Sequence, residues 1–293
     1  MYYRRKILLS LLQLFGGKLQ YTRLQKYLFL VTRMQDEPVY DFVPYKYGPF
    51  SFQSYADIRA LIKRGFLTRS VRVDSEKNPN YYEELNPADK DILDAIRDEY
   101  SQISYSELIR YTYKNFPEYT VNSEILESYL STNEIQGLQK SKSQNNAQCL
   151  FTLGYEGISI DTFINRLLQH EINVLIDVRK NAMSMKYGFS KSQLIRLLGK
   201  FDIAYVHLPQ LGINSSKRKR LNSRSDYERL FKEYESNELS ENVEYVSIIR
   251  DMLGEKKRVA LMCFESEPEM CHRHKITELL ESNPNWETQI LHL

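Results

Sequence analysis

Cysteine, glycine, proline and long apolar runs are all scarce in this chain. Its 293 residues include 3 Cys, 11 Gly and 9 Pro. No apolar run approaches the roughly 20 residues that a membrane-spanning helix needs. The apolar N-terminus predicts a first helix rather than a signal peptide, because Gln13 interrupts it and no A-x-A site follows. Three cysteines do not form a disulfide scaffold, so we expect a cytoplasmic protein without a membrane partner.

Several catalytic motifs are also missing. No P-loop, G-x-G-x-x-G or G-x-S-x-G motif occurs, which disfavours kinases, ordinary dehydrogenases and serine hydrolases. The paired C-x₂-C ligands of structural zinc sites and the zinc-deaminase signature are absent as well. A catalytic zinc held by His207, Cys263 and Cys271 is conceivable but disfavoured. The cofactor is therefore unknown, and no metal ligand is assigned.

Charge is distributed unevenly although the formal net charge is only +2. Residues 1–73 hold 13 lysines and arginines against 4 acidic residues, whereas residues 74–134 hold 5 against 14. A basic N-terminal module is a candidate face for DNA or RNA. The alternative is that these are two ordinary solvated surfaces.

The N-terminal half follows a winged-helix-like order. Apolar spacing predicts helices over 4–15, 21–35 and 52–64, and "FLTRSVRV" alternates as a strand does. Three more helices are expected near 87–99, 104–115 and 122–131. Residues 132–148 are polar and predict a linker. The predicted domains are therefore 1–131, mainly helical and winged-helix-like, and 149–293.

The C-terminal half alternates strand-like and helix-like segments. Its strand-like segments are "CLFTLGY", "INVLIDVR", "IAYVHLP", "RVALMCF" and "WETQILHL". This alternation predicts an α/β fold with a doubly wound, mostly parallel, Rossmann-like sheet. Ligands of such sheets bind beyond the carboxyl ends of the strands.

Polar residues gather at the predicted strand ends, which indicates a site there. The candidates for catalysis are Glu156, Asp177, His207, Glu265 and Cys271. The candidates for binding an anionic ligand are Tyr155, Arg179, Asn181, His272 and Arg273.

The segment "LMCFESEPEMCHRHKI" (261–276) leaves four readings open: a metal site, a thiol nucleophile, an anion clamp and a packed helix start. We favour the clamp, because Arg273 and His272 open a helix whose free N–H groups attract anions. Cys271 is then an auxiliary thiol near that helix start, and Cys263 is either a second thiol or a small apolar residue.

The basic run Lys217, Arg218, Lys219 and Arg220 follows the third predicted strand. Such a run is usually a solvated face, but beside a pocket it is a candidate for nucleic-acid binding.

Four segments together resemble the family called "domain of unknown function 488": "FTLGYEG", "IDVRKNAMSMKYGFSKSQL", "IAYVHLPQLG" and "VALMCFESEPEMCHRHKI". The resemblance covers about residues 149–293 and implies an α/β fold with a polar pocket, but no agreed reaction. The N-terminal half, with "RLQKYLFL" and "VPYKYGPFS", is loosely similar to phage-associated, antitoxin-like domains known as Panacea. This pairing suits a role in antiphage defence.

We therefore predict a nucleic-acid-binding protein whose α/β domain cleaves or modifies a nucleotide or base, as a hydrolase or glycosidase does. The alternative is a non-catalytic transcriptional regulator or antitoxin-like protein that senses a small nucleotide. The sequence leaves open whether DNA or RNA is bound and whether the chain forms a homodimer.

Overall fold

The chain divides into two units, Met1–Ser143 and Gln144–Leu293. The computed structural model describes residues 1–73, 79–139, 147–218, 221, 223–256 and 258–293. Each unit has its own apolar core. Within the described ranges no helix is long and apolar enough to cross a membrane.

The N-terminal unit is mainly helical. Its elements are α1 (Tyr3–Leu14), α2 (Tyr21–Met34), β1 (Val43–Tyr45), β2 (Gly48–Phe50), α3 (Phe52–Lys63), α4 (Pro87–Tyr100), α5 (Tyr105–Asn115) and α6 (Thr132–Gln139). Side-chain caps mark where several helices begin: Ser51, Asn86 and Ser104 each accept a hydrogen bond from a backbone N–H of the first helical turn. These caps satisfy donors that an isolated helix leaves unpaired.

Three details of this unit differ from the sequence prediction. The expected strand at 66–73 is reduced to isolated bridges such as Leu67–Val73. The segment 122–131, expected to be a helix, is mostly irregular and contains one short 3₁₀ turn, Leu126–Ser128. The cause is that two of its residues bind the β1–β2 hairpin. Asn122 donates to the Pro44 carbonyl at 3.0 Å, and the Glu124 N–H donates to the Lys46 carbonyl at 2.8 Å. The first eight residues of the predicted linker form α6.

The basic and acidic segments of the N-terminal half pair with each other inside this unit. Lys6 binds Glu84 at 2.6 Å and Lys46 binds Glu124 at 2.5 Å. The basic segment is therefore not a separate module, since part of its charge is neutralised by the acidic segment that follows.

The C-terminal unit contains a five-stranded parallel sheet. Its elements are β3 (Cys149–Gly154), α7 (Ile160–Gln169), β4 (Val174–Asp177), α8 (Lys191–Leu198), β5 (Ala204–His207), α9 (Arg224–Tyr234), α10 (Val243–Lys256), β6 (Arg258–Cys263), α11 (Arg273–Glu281) and β7 (Gln289–His292). The strand order is β5-β4-β6-β3-β7, and every pair is parallel. The predicted α/β class and parallel sheet are confirmed.

Both faces of this sheet are covered. Alternate strand residues such as Ile176 and Leu261 pack with the apolar sides of α9, α10 and α11 in one core. The intervening residues point to the opposite face and are equally buried, as for Phe151 and Met262. Phe151 contacts the ring of His170 at the C-terminal cap of α7, which places that end of α7 on the second face.

The strand order creates a switch point between β4 and β6. The connection after β4 leads to one edge of the sheet, at β5, and the connection after β6 leads to the other edge, at β7. The two connections diverge and leave a crevice at the carboxyl ends of β4 and β6, where α/β proteins commonly bind ligands.

Candidate functional site

A cleft of about 390 Å³ lies at this switch point. Segments that follow β3, β4, β5 and β6 supply its walls, together with the start of α11. Its lining residues are Tyr155, Arg179, Lys180, Asn181, Ile213, Asn214, Ser215, Arg218, Cys263, Phe264, Glu265 and His272. Seven of the residues singled out in the sequence therefore share one cleft: Tyr155, Arg179, Asn181, Arg218, Cys263, Glu265 and His272.

Gly154 allows the loops after β3 and β6 to meet at one wall. A Cβ atom at this position would lie 1.8 Å from the carbonyl oxygen of Glu265, so no other residue type fits without moving the loop. The Phe264 carbonyl accepts hydrogen bonds from the backbone N–H groups of Tyr155 and Glu156, at 3.1 and 2.8 Å. The two loops are thus fixed to each other by main-chain contacts.

Arg179 is held in a buried hydrogen-bonded network beneath the cleft. Its Nε and Nη2 atoms donate to the two oxygens of Asp177 at 2.8 and 2.6 Å, and Nη1 donates to the Tyr155 hydroxyl at 2.9 Å. The Phe189 carbonyl accepts from Nη2 at 2.9 Å, and Tyr205 donates to Asp177 at 2.7 Å. Burial alone lowers the pKa of the arginine, but hydrogen bonds and charge from Asp177 outweigh it and raise that pKa above its usual value. Arg179 therefore stays charged, and Asp177 serves as its partner.

Four of the five predicted catalytic residues lie outside the cleft lining: Glu156, Asp177, His207 and Cys271. His207 donates from Nε2 to the Arg179 carbonyl at 2.9 Å, so it supports the turn after β4. Glu156 is exposed, and its carboxylate accepts the Ser266 N–H at 3.1 Å. Both residues orient the loops that form the site.

Arg273 is fully buried and holds the loop after β6. Its Nη1 and Nη2 atoms donate to the carbonyls of Glu265 and Ser266 at 2.5 and 2.7 Å, and its Nε donates to the Thr152 hydroxyl at 3.2 Å. The fold itself uses these donors, so the guanidinium predicted to bind an anion is a structural clamp on the loop.

Cys263, Cys271 and His272 form a buried cluster at the base of the cleft. The Nδ1 atom of His272 lies 3.7 Å from the Cys263 sulfur and 4.0 Å from the Cys271 sulfur. Its Nε2 atom lies 3.0 Å from the Val178 carbonyl, which can only accept, so Nε2 carries a proton. Its Nδ1 atom lies 2.7 Å from Nη2 of Arg218, which can only donate, so Nδ1 presents a lone pair.

The two thiols of this cluster differ in acidity. Burial alone raises the pKa of Cys263, but the hydrogen bond from Cys271 and the charge of Arg218 lower it to about 7. Burial and the neighbouring Cys263 raise the pKa of Cys271 to about 12. Cys271 was predicted to be the auxiliary thiol, yet Cys263 is the thiol that lines the cleft.

Arg218 and Glu265 form an ion pair across the cleft. A second donor of Arg218, Nη2, lies 2.7 Å from Nδ1 of His272. The Glu265 carboxylate also accepts from the Cys263 thiol at 3.4 Å. One cation, one carboxylate and one thiol are therefore gathered within a few ångströms.

The basic run predicted to bind nucleic acid is only partly described. Lys217 binds Glu233 at 2.6 Å and Glu238 at 2.8 Å, so its charge is compensated locally. Lys219 and Arg220 lie outside the described residues. The described part of this run therefore consists of one locally paired lysine and Arg218 in the cleft.

The cleft residues Lys180 and Asn214 were not predicted from the sequence. Both belong to exposed loops without a motif, and only the packing of the segments after β4 and β5 brings them to the cleft. Lys180 was nevertheless visible as the residue that directly follows Arg179 in "DVRKN".

The fold and the site thus define an α/β unit with a polar cleft at its switch point. A family model described as "Domain of unknown function DUF488" matches residues 159–280. This match confirms the resemblance of the C-terminal half, whereas the similarity of the N-terminal half to Panacea-type domains stays a prediction. Comparisons of the chain with curated proteins and with solved structures gave no match.

Proposed function

We propose that this protein binds DNA or RNA through a winged-helix-like N-terminal unit and cleaves or modifies a nucleotide or base in the cleft of its α/β unit. The natural setting for this activity is the cytoplasm, and the similarity to Panacea-type domains suggests antiphage defence. The observation that carries the proposal is the cleft at the switch point, which combines cationic groups with a carboxylate.

The cleft has the groups that a nucleotide phosphate needs. Lys180 and Arg218 supply positive charge, and the side-chain amides of Asn181 and Asn214 supply further donors at the rim. Lys180 is exposed and pairs with no acid among the described residues. Its ammonium group is therefore free to bind a ligand.

Glu265 is the carboxylate that we assign to acid–base chemistry. A phosphate that entered the cleft would compete with Glu265 for the guanidinium of Arg218, since both are anions. The carboxylate released from Arg218 would then accept a proton from an attacking group beside the bound ligand. Ligand binding and activation of the base are coupled in this scheme.

The exposed face of α3 supports the nucleic-acid part of the proposal. Tyr55, Arg59 and Lys63 recur four residues apart and are all exposed, and the Arg59 guanidinium lies 5.9 Å from the Tyr55 ring centroid. More exposed arginines follow at positions 64, 69 and 72. None of these cations pairs with an acid in the described part of the chain, in contrast to Lys6 and Lys46.

Replacing Glu265 with glutamine tests the catalytic role. We expect turnover to fall about 100-fold or more, because an amide cannot act as a base, while the nucleotide binds at least as tightly, because glutamine does not compete with a phosphate for Arg218. The assay uses the full chain with nucleoside monophosphates and short single-stranded DNA and RNA, and products are resolved by liquid chromatography. Glu267→Gln is the control, since Glu267 is exposed and lies outside the cleft lining. Unchanged turnover in Glu265→Gln would refute the role.

One observation favours a second function, that of a nucleotide sensor. Both oxygens of Asp177 are engaged by Arg179 and Tyr205, and Glu156 binds the Ser266 N–H, so Glu265 is the one carboxylate that lines the described cleft. A wild-type protein that binds a nucleotide but converts none of the probes would support the regulator.

Removing two charges from α3 tests the nucleic-acid interface. For Arg59→Gln/Lys63→Gln we expect the slope of log affinity against log salt concentration on duplex DNA to flatten by about 1.8, because two phosphate contacts are lost. The matched control is Lys46→Gln/Lys90→Gln, which removes the same charge where each lysine binds a glutamate. Equal slopes for both double variants would exclude α3 as the interface.

A further inference from the structure

We propose that Cys263, Cys271 and His272 bind a zinc ion at the base of the cleft. This inference goes beyond the nucleotide proposal, because the ion can be bound and measured without any nucleotide. It rests on the positions of three donor atoms, on the orientation of the histidine and on the balance of charge.

The three donor atoms are nearly as close as a zinc ion requires. The two sulfurs and the histidine nitrogen all lie within 4.8 Å of one another. Tetrahedral coordination with ordinary Zn–S and Zn–N bonds puts neighbouring donors about 3.5–3.8 Å apart. The observed distances from Nδ1 of His272 are 3.7 Å to Cys263 and 4.0 Å to Cys271. The Nδ1–sulfur distances would shift by a few tenths of an ångström and the sulfur–sulfur distance by at most about 1 Å to complete three coordination positions.

His272 is already oriented as a metal ligand. Its Nε2–H donates to the Val178 carbonyl, which leaves the acceptor atom Nδ1 on the side of the ring that lies 3.7 and 4.0 Å from the two sulfurs. Histidine ligands typically donate their second ring N–H in this way, which fixes both the tautomer and the ring plane. The ring of Tyr234 lies edge-on to His272, with centroids 5.5 Å apart, and restricts its rotation further.

Charge balance favours a cation at this position. Two thiolates and a neutral imidazole around a divalent ion give a net charge of zero, which suits the nearly complete burial of all three residues. A cationic group already approaches the cluster, since Nη2 of Arg218 lies 2.7 Å from Nδ1 of His272. Zinc would bind the Nδ1 lone pair that Arg218 now contacts. The guanidinium of Arg218 would then be available to bind Glu265 and a ligand.

The fourth coordination position would face the cleft. Cys263 and His272 both line the cleft, whereas Cys271 lies behind them and is fully buried. Zinc sites with three protein ligands and one open position are the reactive kind, and two thiolates with one imidazole are a known ligand set for them. The ligands come from the end of β6 and the start of α11, eight and nine residues apart, and therefore show no C-x₂-C spacing.

Zinc and cobalt titrations of the reduced, metal-free full chain test this proposal. We expect one zinc ion per chain, measured by competition with a chromophoric chelator. Cobalt should give thiolate-to-metal charge transfer and the intense visible bands of a tetrahedral ion. Cys263→Ser, Cys271→Ser and His272→Ala should each weaken zinc binding by at least about 100-fold.

The third cysteine of the chain provides a matched control. Cys149 is also buried and free but begins β3, at the opposite end of the strands, so Cys149→Ser should bind zinc as the wild type does. Circular dichroism checks that each variant is folded. The cobalt spectrum of the wild type is decisive even if a variant fails to fold: absence of thiolate charge transfer would overturn the site. Cys149→Ser losing zinc as the cluster variants do would overturn it equally.

Discussion

Each of the two units buries a cationic side chain, but the two side chains have different hydrogen-bond and charge partners. In the N-terminal unit, Lys26 of α2 is 2% exposed, and its Nζ donates to the Tyr47 carbonyl. No carboxylate in the described part of the chain pairs with Lys26. In the C-terminal unit, Arg179 is 6% exposed and binds a carboxylate, a phenol and a carbonyl.

The difference shows how the surroundings of a buried cation set its protonation. Burial lowers the pKa of Lys26 to about 7, because no opposite charge compensates for the lost water. Asp177 reverses the same effect at Arg179 and raises its pKa. The N-terminal unit therefore contains a destabilising cation that can lose its proton, and the C-terminal unit contains one that cannot.

Removing the partner of Arg179 should have the largest effect on stability. For Asp177→Ala we expect the free energy of unfolding to fall by about 3–5 kcal/mol, because a buried guanidinium loses its carboxylate. Chemical denaturation monitored by circular dichroism measures the loss.

The double variant Asp177→Leu/Arg179→Met is the control for this prediction. It removes both charges and should recover much of the lost stability, since an apolar pair leaves no buried ion uncompensated. A double variant as unstable as Asp177→Ala would show that the whole hydrogen-bonded network with Tyr155, Phe189 and Tyr205, rather than the uncompensated charge alone, determines stability.

Replacing Lys26 with methionine should act in the opposite direction. We expect Lys26→Met to stabilise the N-terminal unit by about 2–4 kcal/mol at pH 7, less the cost of the Tyr47 carbonyl losing its donor. Thermal unfolding of both proteins measures the gain.

The pH dependence of this gain follows from the lowered pKa of Lys26. Between pH 7 and the ordinary lysine value of 10.5, the unfolded chain binds the proton that the folded chain has lost. The stability of the wild type therefore rises with pH through this window, and the advantage of Lys26→Met shrinks. Below pH 7 both states are protonated and the advantage is constant. An advantage that grew above pH 8 would contradict the assignment.

The sequence predicted the sheet well because its signals were local. Alternation of apolar strands with amphipathic helices requires a parallel order, and the carboxyl ends of parallel strands share one edge. The 122–131 segment was mispredicted because its apolar spacing resembles a helix, whereas contacts of Asn122 and Glu124 with a distant hairpin determine its course.

The sequence predicted where the candidate site lies but not the roles of its individual residues. Arg273 and Arg179 are equally polar in sequence, and only the structure shows that one binds loop carbonyls and the other a carboxylate. Conversely, Cys263 ends an apolar strand and resembles a core residue, yet its sulfur reaches the cleft. Sequence spacing locates such residues on a strand end but does not orient their donors.

Removing a surface ion pair should have the smallest effect on stability, in contrast to the two buried cations. Lys46 and Glu124 are both about half exposed, and their contact of 2.5 Å joins the basic and acidic segments of the N-terminal unit. Water already solvates both charges, so we expect Lys46→Gln to leave the melting temperature unchanged within experimental error. Differential scanning calorimetry at low and high salt provides the measurement. A clear, salt-dependent loss of stability would mean that pairing between the two segments, rather than their apolar core, holds this unit together.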